Sequence, residues 1–201
     1  MAFLRLEDAR ALGLSESRRA QKRASVILSE SVRSFSKATH YDVFLSHSFQ
    51  DADAILGIKT AAERAGMKVY VDWLDDPGLD RRSVTAETAD VIRGRLRASA
   101  SLVYVHSPNA SDSKWMPWEL GFFDGSKPGF VWIMPLVVSD DSEFQRQEYL
   151  GLYPTIENIG SIGTTSSVVN LGFRKVRLAD GVSDVPLVKA ARAGNGIILT
   201  M

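Results

Sequence analysis

The chain contains no cysteine, so it has no disulfide, no thiol nucleophile and no thiolate metal site. It has no apolar run long enough to span a bilayer, and its N-terminus lacks the apolar core of a signal peptide. The expected compartment is therefore the cytoplasm, with no membrane partner. An excess of one charge is missing too. The 24 Lys and Arg balance 24 Asp and Glu, which leaves no global field to attract nucleic acid or anionic lipid. The basic clusters carry no interleaved aromatics, so no nucleic-acid platform is expected. No GxGxxG follows the first strand and no GxxxxGK[ST] occurs, which removes the dinucleotide fingerprint and the P-loop. No GxSxG elbow occurs. His40, His47 and His106 are scattered without metal-ligand spacing, so no metal is expected.

What the chain does have is the make-up of an ordinary globular protein, 45% hydrophobic and 24% charged over 201 residues. Residues 1–39 read as an N-terminal helical extension. A basic cluster (Arg18, Arg19, Lys22, Arg23) precedes a weak apolar stripe of Leu28, Val32 and Phe35 at helical spacing. From Tyr41 the pattern changes to short apolar runs separated by amphipathic segments. Strands are expected at Tyr41–Ser46, Lys68–Trp73, Ser101–His106 and Phe130–Val138. Between them Ile55, Ile58, Ala62 and Ala65 mark one helix face, and Ala89, Ile92 and Leu96 mark a second. A third helix follows Ser113, with Pro117 at the edge of its first turn, where a missing N–H costs little. Beyond Ser139, Glu143–Leu152 reads as a short helix and Phe173–Leu178 as a fifth strand at the sheet edge, blunted by its charges. A small helix is expected over Leu187–Ala193.

Strands alternating with helices in this way predict an α/β fold, a flavodoxin-like, doubly wound parallel sheet of about five strands. The main domain is expected over 40–180, with a C-terminal tail over 181–201. In open α/β sheets ligands bind beyond the carboxyl ends of the strands. That rim receives Ser46, His47, Ser48 and Phe49 after the first strand and Asp72 and Trp73 after the second. Lys114, Trp115 and Glu119 arrive on the segment after the third. Trp115 and Glu119 are four apart and share a helix face. Together these residues predict a cleft with aromatic walls and one central carboxylate. An aromatic-rich core helix with a single exposed acid is the plainer alternative for Ser113–Phe123.

Three of these stretches resemble the motifs of TIR (Toll/interleukin-1 receptor) domains of the bacterial, NAD+-consuming type. Tyr41-Asp42-Val43-Phe44-Leu45-Ser46-His47 is similar to the family's first box. Val69-Tyr70-Val71-Asp72 with the Pro77-Gly78 loop is similar to its second strand and the loop after it. Ser113-x-Trp115-x-x-x-Glu119-Leu120 is similar to the third-helix motif, whose glutamate is catalytic. The resemblance covers roughly residues 40–160. It implies a NAD+ glycohydrolase or cyclase with Glu119 as the catalytic residue and NAD+ as substrate rather than cofactor. Ser46, His47, Ser48, Phe49, Asp72, Trp73, Lys114 and Trp115 are the expected substrate-binding residues.

The same resemblance implies self-association through TIR–TIR contacts, a role in bacterial antiphage defence, and a downstream effector that senses the nucleotide product. Nicotinamide leaves as a neutral pyridine from a cationic ring, so one carboxylate suffices where an ordinary glycoside needs two. Trp115 or Trp73 stacked on the cationic ring would contribute about 0.5–2 kcal/mol. Two other readings stay open at this stage. One is a non-enzymatic TIR scaffold acting through the Leu74–Ser83 loop, and the other is a nucleoside 2-deoxyribosyltransferase.

Overall fold

The computed structural model describes residues 3–33, 40–71, 85–139, 147–158, 173–178 and 181–183. A two-residue strand, β1 (Leu4–Arg5), leads into helices α1 (Leu6–Ala20) and α2 (Ala24–Arg33). Then come β2 (Tyr41–Ser46), α3 (Ala52–Arg64), β3 (Val69–Val71), α4 (Ala86–Ala98), β4 (Ser99–His106), α5 (Trp115–Ser126) and β5 (Val131–Val137). β6 (Thr155–Asn158), β7 (Phe173–Leu178) and β8 (Gly181–Ser183) complete the described elements. Among the described residues, no helix is long and apolar enough to cross a membrane.

The expected doubly wound α/β architecture is present. Five strands run parallel in the order β3-β2-β4-β5-β6, and β1 adds a short parallel pairing to the end of β5. Every residue of β3 and β5 is buried, as strands covered on both faces require. Strand alternation sorts the side chains into two cores. Val43, Leu45, Val71, Val103 and Val105 point toward Leu12, Leu28, Ile55 and Ile58 of α1, α2 and α3. Phe44, Tyr70, Leu102, Tyr104 and Ile133 point toward Ile92 and Leu96 of α4 and Met116, Leu120 and Phe123 of α5.

One strand assignment changes. The fifth parallel strand is β6, not Phe173–Leu178, and Phe173–Leu178 is not an edge. It is β7, antiparallel to β6 on one side and to β8 on the other. β6 escapes a sequence reading because it has four residues and follows Pro154, with no apolar run to mark it. The expected helix over Glu143–Leu152 is, in its described part, a 3-10 turn at Glu148–Leu152. The second expected strand is described over Val69–Val71 alone. Asp72, Trp73, the Leu74–Ser83 loop and the Leu187–Ala193 helix lie outside the described residues.

The first helix is bonded into the core through glycine. Gly13 and Gly57 are both buried where α1 crosses α3. A Cβ on Gly13 would collide with the Asp53 carbonyl oxygen, and one on Gly57 with the Ala9 carbonyl oxygen. The two backbones therefore touch, and Leu6, Ala9 and Leu12 of α1 are buried beside them. Arg64 at the end of α3 pairs with Glu16 of α1 across the same crossing. Gly13→Ala and Gly57→Ala should each lower the unfolding free energy by about 1–3 kcal/mol, since rigid backbone cannot yield to the added methyl. Gly94→Ala, on an exposed turn of α4 with open space around it, should raise it by about 0.5–1 kcal/mol. Urea denaturation of the three variants checks both signs.

Candidate functional site

The end of β2 and the second turn of α5 meet in a buried polar contact. Ser46 is the last residue of β2, and alternation from Phe44 turns its side chain to the α5 face. Its Oγ donates to Glu119 Oε2 at 2.6 Å, bridging 73 residues of chain. Glu119 is fully buried. A carboxylate taken out of water is tolerated only where donors replace its hydration, and a hydroxyl at this distance is a strong one.

Local sequence fixes where α5 begins and thus where Glu119 lies. Ser113 Oγ accepts from the Met116 N–H at 3.3 Å, satisfying an orphan donor of the first turn. Pro117 is the third helical residue, a position whose N–H has no intrahelical acceptor. Trp115, Met116, Glu119, Leu120 and Phe123 then form the buried face.

Tyr104 is the cross-strand neighbour of Ser46, paired with it in the parallel register of β2 and β4. The two side chains therefore lie side by side beneath α5. Burial first, then the neighbouring Tyr149 hydroxyl and the negative field of Glu119, hold the Tyr104 proton well beyond the ordinary phenol range. Tyr149 in turn donates to Gln147 Oε1. Tyr153 donates to Asp124 Oδ2 at 3.1 Å, and burial together with that carboxylate pushes its pKa up to about 12. The end of the Glu148–Leu152 turn is thereby tied to α5 by the neighbouring Tyr153.

The rim loops are clamped by a second polar cluster. Asp51, buried after β2, accepts from Ser107 Oγ and from Asn109 Nδ2 at 2.8 Å, both in the loop after β4. The Arg10 guanidinium of α1 stands 3.9 Å from the same carboxylate. His47 is buried, with Nδ1 2.8 Å from the Leu45 carbonyl oxygen, which can only accept. Ser48 Oγ accepts from the Gln50 N–H at 3.4 Å and caps the Phe49–Asp51 turn. His106, at the end of β4, stacks on Tyr104 with ring centroids 6.4 Å apart.

On the outer side of α5's first turn lies a cleft of about 340 Å³, lined by Thr85, Ala86, Ala89, Arg93, Lys114, Trp115 and Trp118. Trp115 and Trp118 meet edge to face at 5.3 Å, and Trp118 stacks on Phe122 at 5.7 Å. Arg93 and Arg97 of α4 lie over the Trp118 and Phe122 rings, each at 5.5 Å. The cleft thus offers flat apolar walls with the cations Arg93 and Lys114 at its border.

The structure brings Ser46 directly onto Glu119. His47 and Ser48 are buried in the adjoining loop, each held by backbone groups of its own turn. Phe49 is 44% exposed at that loop's tip. Lys114 and Trp115 line the outer cleft, with Trp115 one helical turn from Glu119, and Asp72 and Trp73 lie outside the described residues. Sequence reasoning missed Tyr104, Tyr149 and the Asp51–Ser107–Asn109 clamp. A tyrosine inside a buried strand reads as core, and only the register reveals that it borders the carboxylate.

Comparison with known proteins adds three findings. The model of the TIR domain family matches residues 43–159. A protein of Bacillus cereus (strain MSX-D12) named "Probable 3' cyclic ADP-D-ribose synthase ThsB'" is 44% identical over 146 residues, 73% of this chain and 76% of its own. TIR2 of Cytobacillus dafuensis, named as a candidate cyclic ADP-D-ribose synthase, is 34% identical over 83 residues. That match covers 41% of this chain and 22% of that protein, so the chain spans about a fifth of its length.

Burial holds the His106 pKa below its ordinary 6.5. The unfolded chain therefore takes up a proton near pH 6.5 that the native chain takes up only at lower pH. This contribution to stability is complete above pH 6.5 and is lost as pH falls toward the native value. The urea midpoint should drop between pH 7.5 and 5.5, and His106→Asn should show a shallower drop than the parent protein.

Proposed function

Because the chain belongs to the TIR domain family, we propose that it cleaves the nicotinamide–ribose bond of NAD+. It releases nicotinamide together with a cyclic ADP-ribose or ADP-ribose. The observation that carries this reading is the buried Ser46–Glu119 contact at the carboxyl end of the sheet. It places a single desolvated carboxylate, with a defined orientation, one helical turn from an indole that lines an aromatic cleft.

The chemistry asks little more of the protein. The C1′–N bond breaks heterolytically, its electron pair passes to the pyridinium nitrogen, and nicotinamide departs neutral without needing a proton donor. The ribose is left with oxocarbenium character, which the Glu119 carboxylate stabilises in a site where little water screens it. An oxygen nucleophile then forms the new bond at C1′ and gives up its proton. Water yields ADP-ribose, whereas a hydroxyl of the same molecule yields a cyclic product. An assembled site that closes around the bound nucleotide and excludes bulk water favours the intramolecular acceptor. The names of the two relatives point the same way.

Lys114 and Arg93 suit the diphosphate, and Trp115 and Trp118 suit a flat ring of the same nucleotide. Glu119 is fully buried in the single chain, so the site opens before substrate reaches it, and self-association through TIR–TIR contacts is the event assigned to that opening. In a bacterial cell the cyclic nucleotide serves as a signal in antiphage defence, read by a downstream effector.

Assembled protein incubated with NAD+ should release nicotinamide. Glu119→Gln should reduce the rate by about 100-fold or more, the scale of losing an electrostatic stabiliser. Ser46→Ala should reduce it by about tenfold, the scale of one lost hydrogen bond to a charged group. Lys114→Ala should raise KM with little change in kcat. Liquid chromatography with mass spectrometry of the nucleotide product reads all of these outcomes. Release that persists undiminished in Glu119→Gln would remove the assignment.

A further inference from the structure

Asp51 is the residue before α3, where an aspartate ordinarily caps the helix. Its side chain makes no such cap. It is almost completely buried, and both carboxylate oxygens reach across the rim to the loop after β4. Oδ2 accepts from Ser107 Oγ, and Oδ1 accepts from Asn109 Nδ2 at 2.8 Å. A buried carboxylate needs donors in place of water, so the fold depends on this crossing.

Each end of the crossing leads to one half of the Ser46–Glu119 contact. On one side the Asp51 N–H donates to the carbonyl of Ser48, just beyond Ser46, at 3.1 Å. On the other side Ser107 Oγ accepts from the Asn109 N–H at 3.2 Å, and the Ser107 carbonyl from the Ala110 N–H at 3.0 Å. The Ala110 carbonyl accepts from the Ser113 N–H at 3.2 Å. Ser113 Oγ then accepts from the Met116 N–H at 3.3 Å, in the first turn of α5. Glu119 of the same helix returns to Ser46 at 2.6 Å. These bonds close a ring through two loops, and Asp51 is the member that joins them. Arg10 of α1, 3.9 Å from Oδ1, sets a positive charge beside the ring from outside.

We propose that Asp51 is a positioning residue for Glu119. It bolts the loop that enters α5 to the loop that leaves β2, and so fixes the carboxylate against Ser46. This rests on the reading of Glu119 as the NAD+-cleaving residue. A loop released from Asp51 is free to shift along the end of the sheet, and the first turn of α5 moves with it through Ser113. A misplacement of about 1 Å at a reacting group costs as much as about 100-fold in rate.

Exchanging the two partners separates this role from packing. Asp51→Ala removes both acceptors, and Asn109→Asp sets one carboxylate against another. Each should lower kcat for nicotinamide release by about tenfold or more in the assembled full chain, the scale of a lost hydrogen bond to a charged group. In Asp51→Asn/Asn109→Asp every donor meets an acceptor again, with the amide now donating from position 51. That pair should return kcat to near the parent value. Gly57→Ala, which loosens the α1–α3 crossing outside the ring, should keep the parent kcat at a temperature where all variants are folded. If Asp51→Ala does not fold, Asn109→Asp and its rescue carry the test alone. An exchanged pair no faster than Asn109→Asp, or an Asn109→Asp variant as fast as Gly57→Ala, overturns the proposal and leaves the NAD+ assignment intact.

A second readout needs no turnover. In protein labelled with 5-fluorotryptophan, the 19F resonance of Trp115 is identified by its loss in Trp115→Phe. It should shift in Asn109→Asp and return in the exchanged pair, since Trp115 opens the helix that the ring places. If the parent releases no nicotinamide but this shift and return are seen, the positioning stands and the NAD+ reading falls. If the resonance does not move in Asn109→Asp, α5 does not depend on the crossing and the proposal falls.

Discussion

A carboxylate with no exposure to solvent constrains everything around it. Glu119 has lost its hydration, so the fold must supply donors at fixed positions, and Ser46 is one of them. That single bond links the last residue of the second strand to the second turn of the fifth helix. It can form only if β2 and β4 keep their register, because the same register sets Tyr104 beside Ser46. It also requires α5 to start where Ser113 and Pro117 start it, since a shift of one residue would rotate Glu119 by roughly 100° about the helix axis. Strand register, helix phase and site chemistry are therefore one constraint seen at three scales.

α5 carries two different jobs on two faces. Trp115, Met116, Glu119, Leu120 and Phe123 look inward, where the requirement is close packing around one polar contact. Trp118 and Phe122 look outward and lie beneath two arginines of α4, which cover aromatic surface with guanidinium planes. This dual use explains why the stretch is so rich in aromatics. A core helix alone would not need the outer pair, and a binding helix alone would not need the inner one.

Much of this was legible in the sequence for a physical reason. β2 and β5 are uninterrupted apolar runs and announce themselves, as does the Trp115–Glu119 spacing on a helix that can start only near Ser113. Topology alone sent Ser46 and Glu119 to one rim, and the structure bonds them. The misses have physical causes as well. β6 is too short to carry a pattern, so the charged run of β7 reads as the fifth strand in its place. Tyr104 looks like any core tyrosine until its neighbour on β2 is known. Tyr149, which acts on it, sits in a short turn with no periodicity to mark it. Cross-strand identity is not encoded in any local window, and the candidate site is built largely from cross-strand pairs.

The glycine crossing of α1 and α3 has a consequence for how the molecule comes into being. α1 is synthesised before α3, yet the groove it needs is made by Ala54 to Ile58, which leave the ribosome later. Until then its apolar face, Leu6, Ala9 and Leu12, has nothing to lie against. The nascent chain must therefore hold an unfinished helix in reserve until α3 has left the ribosome.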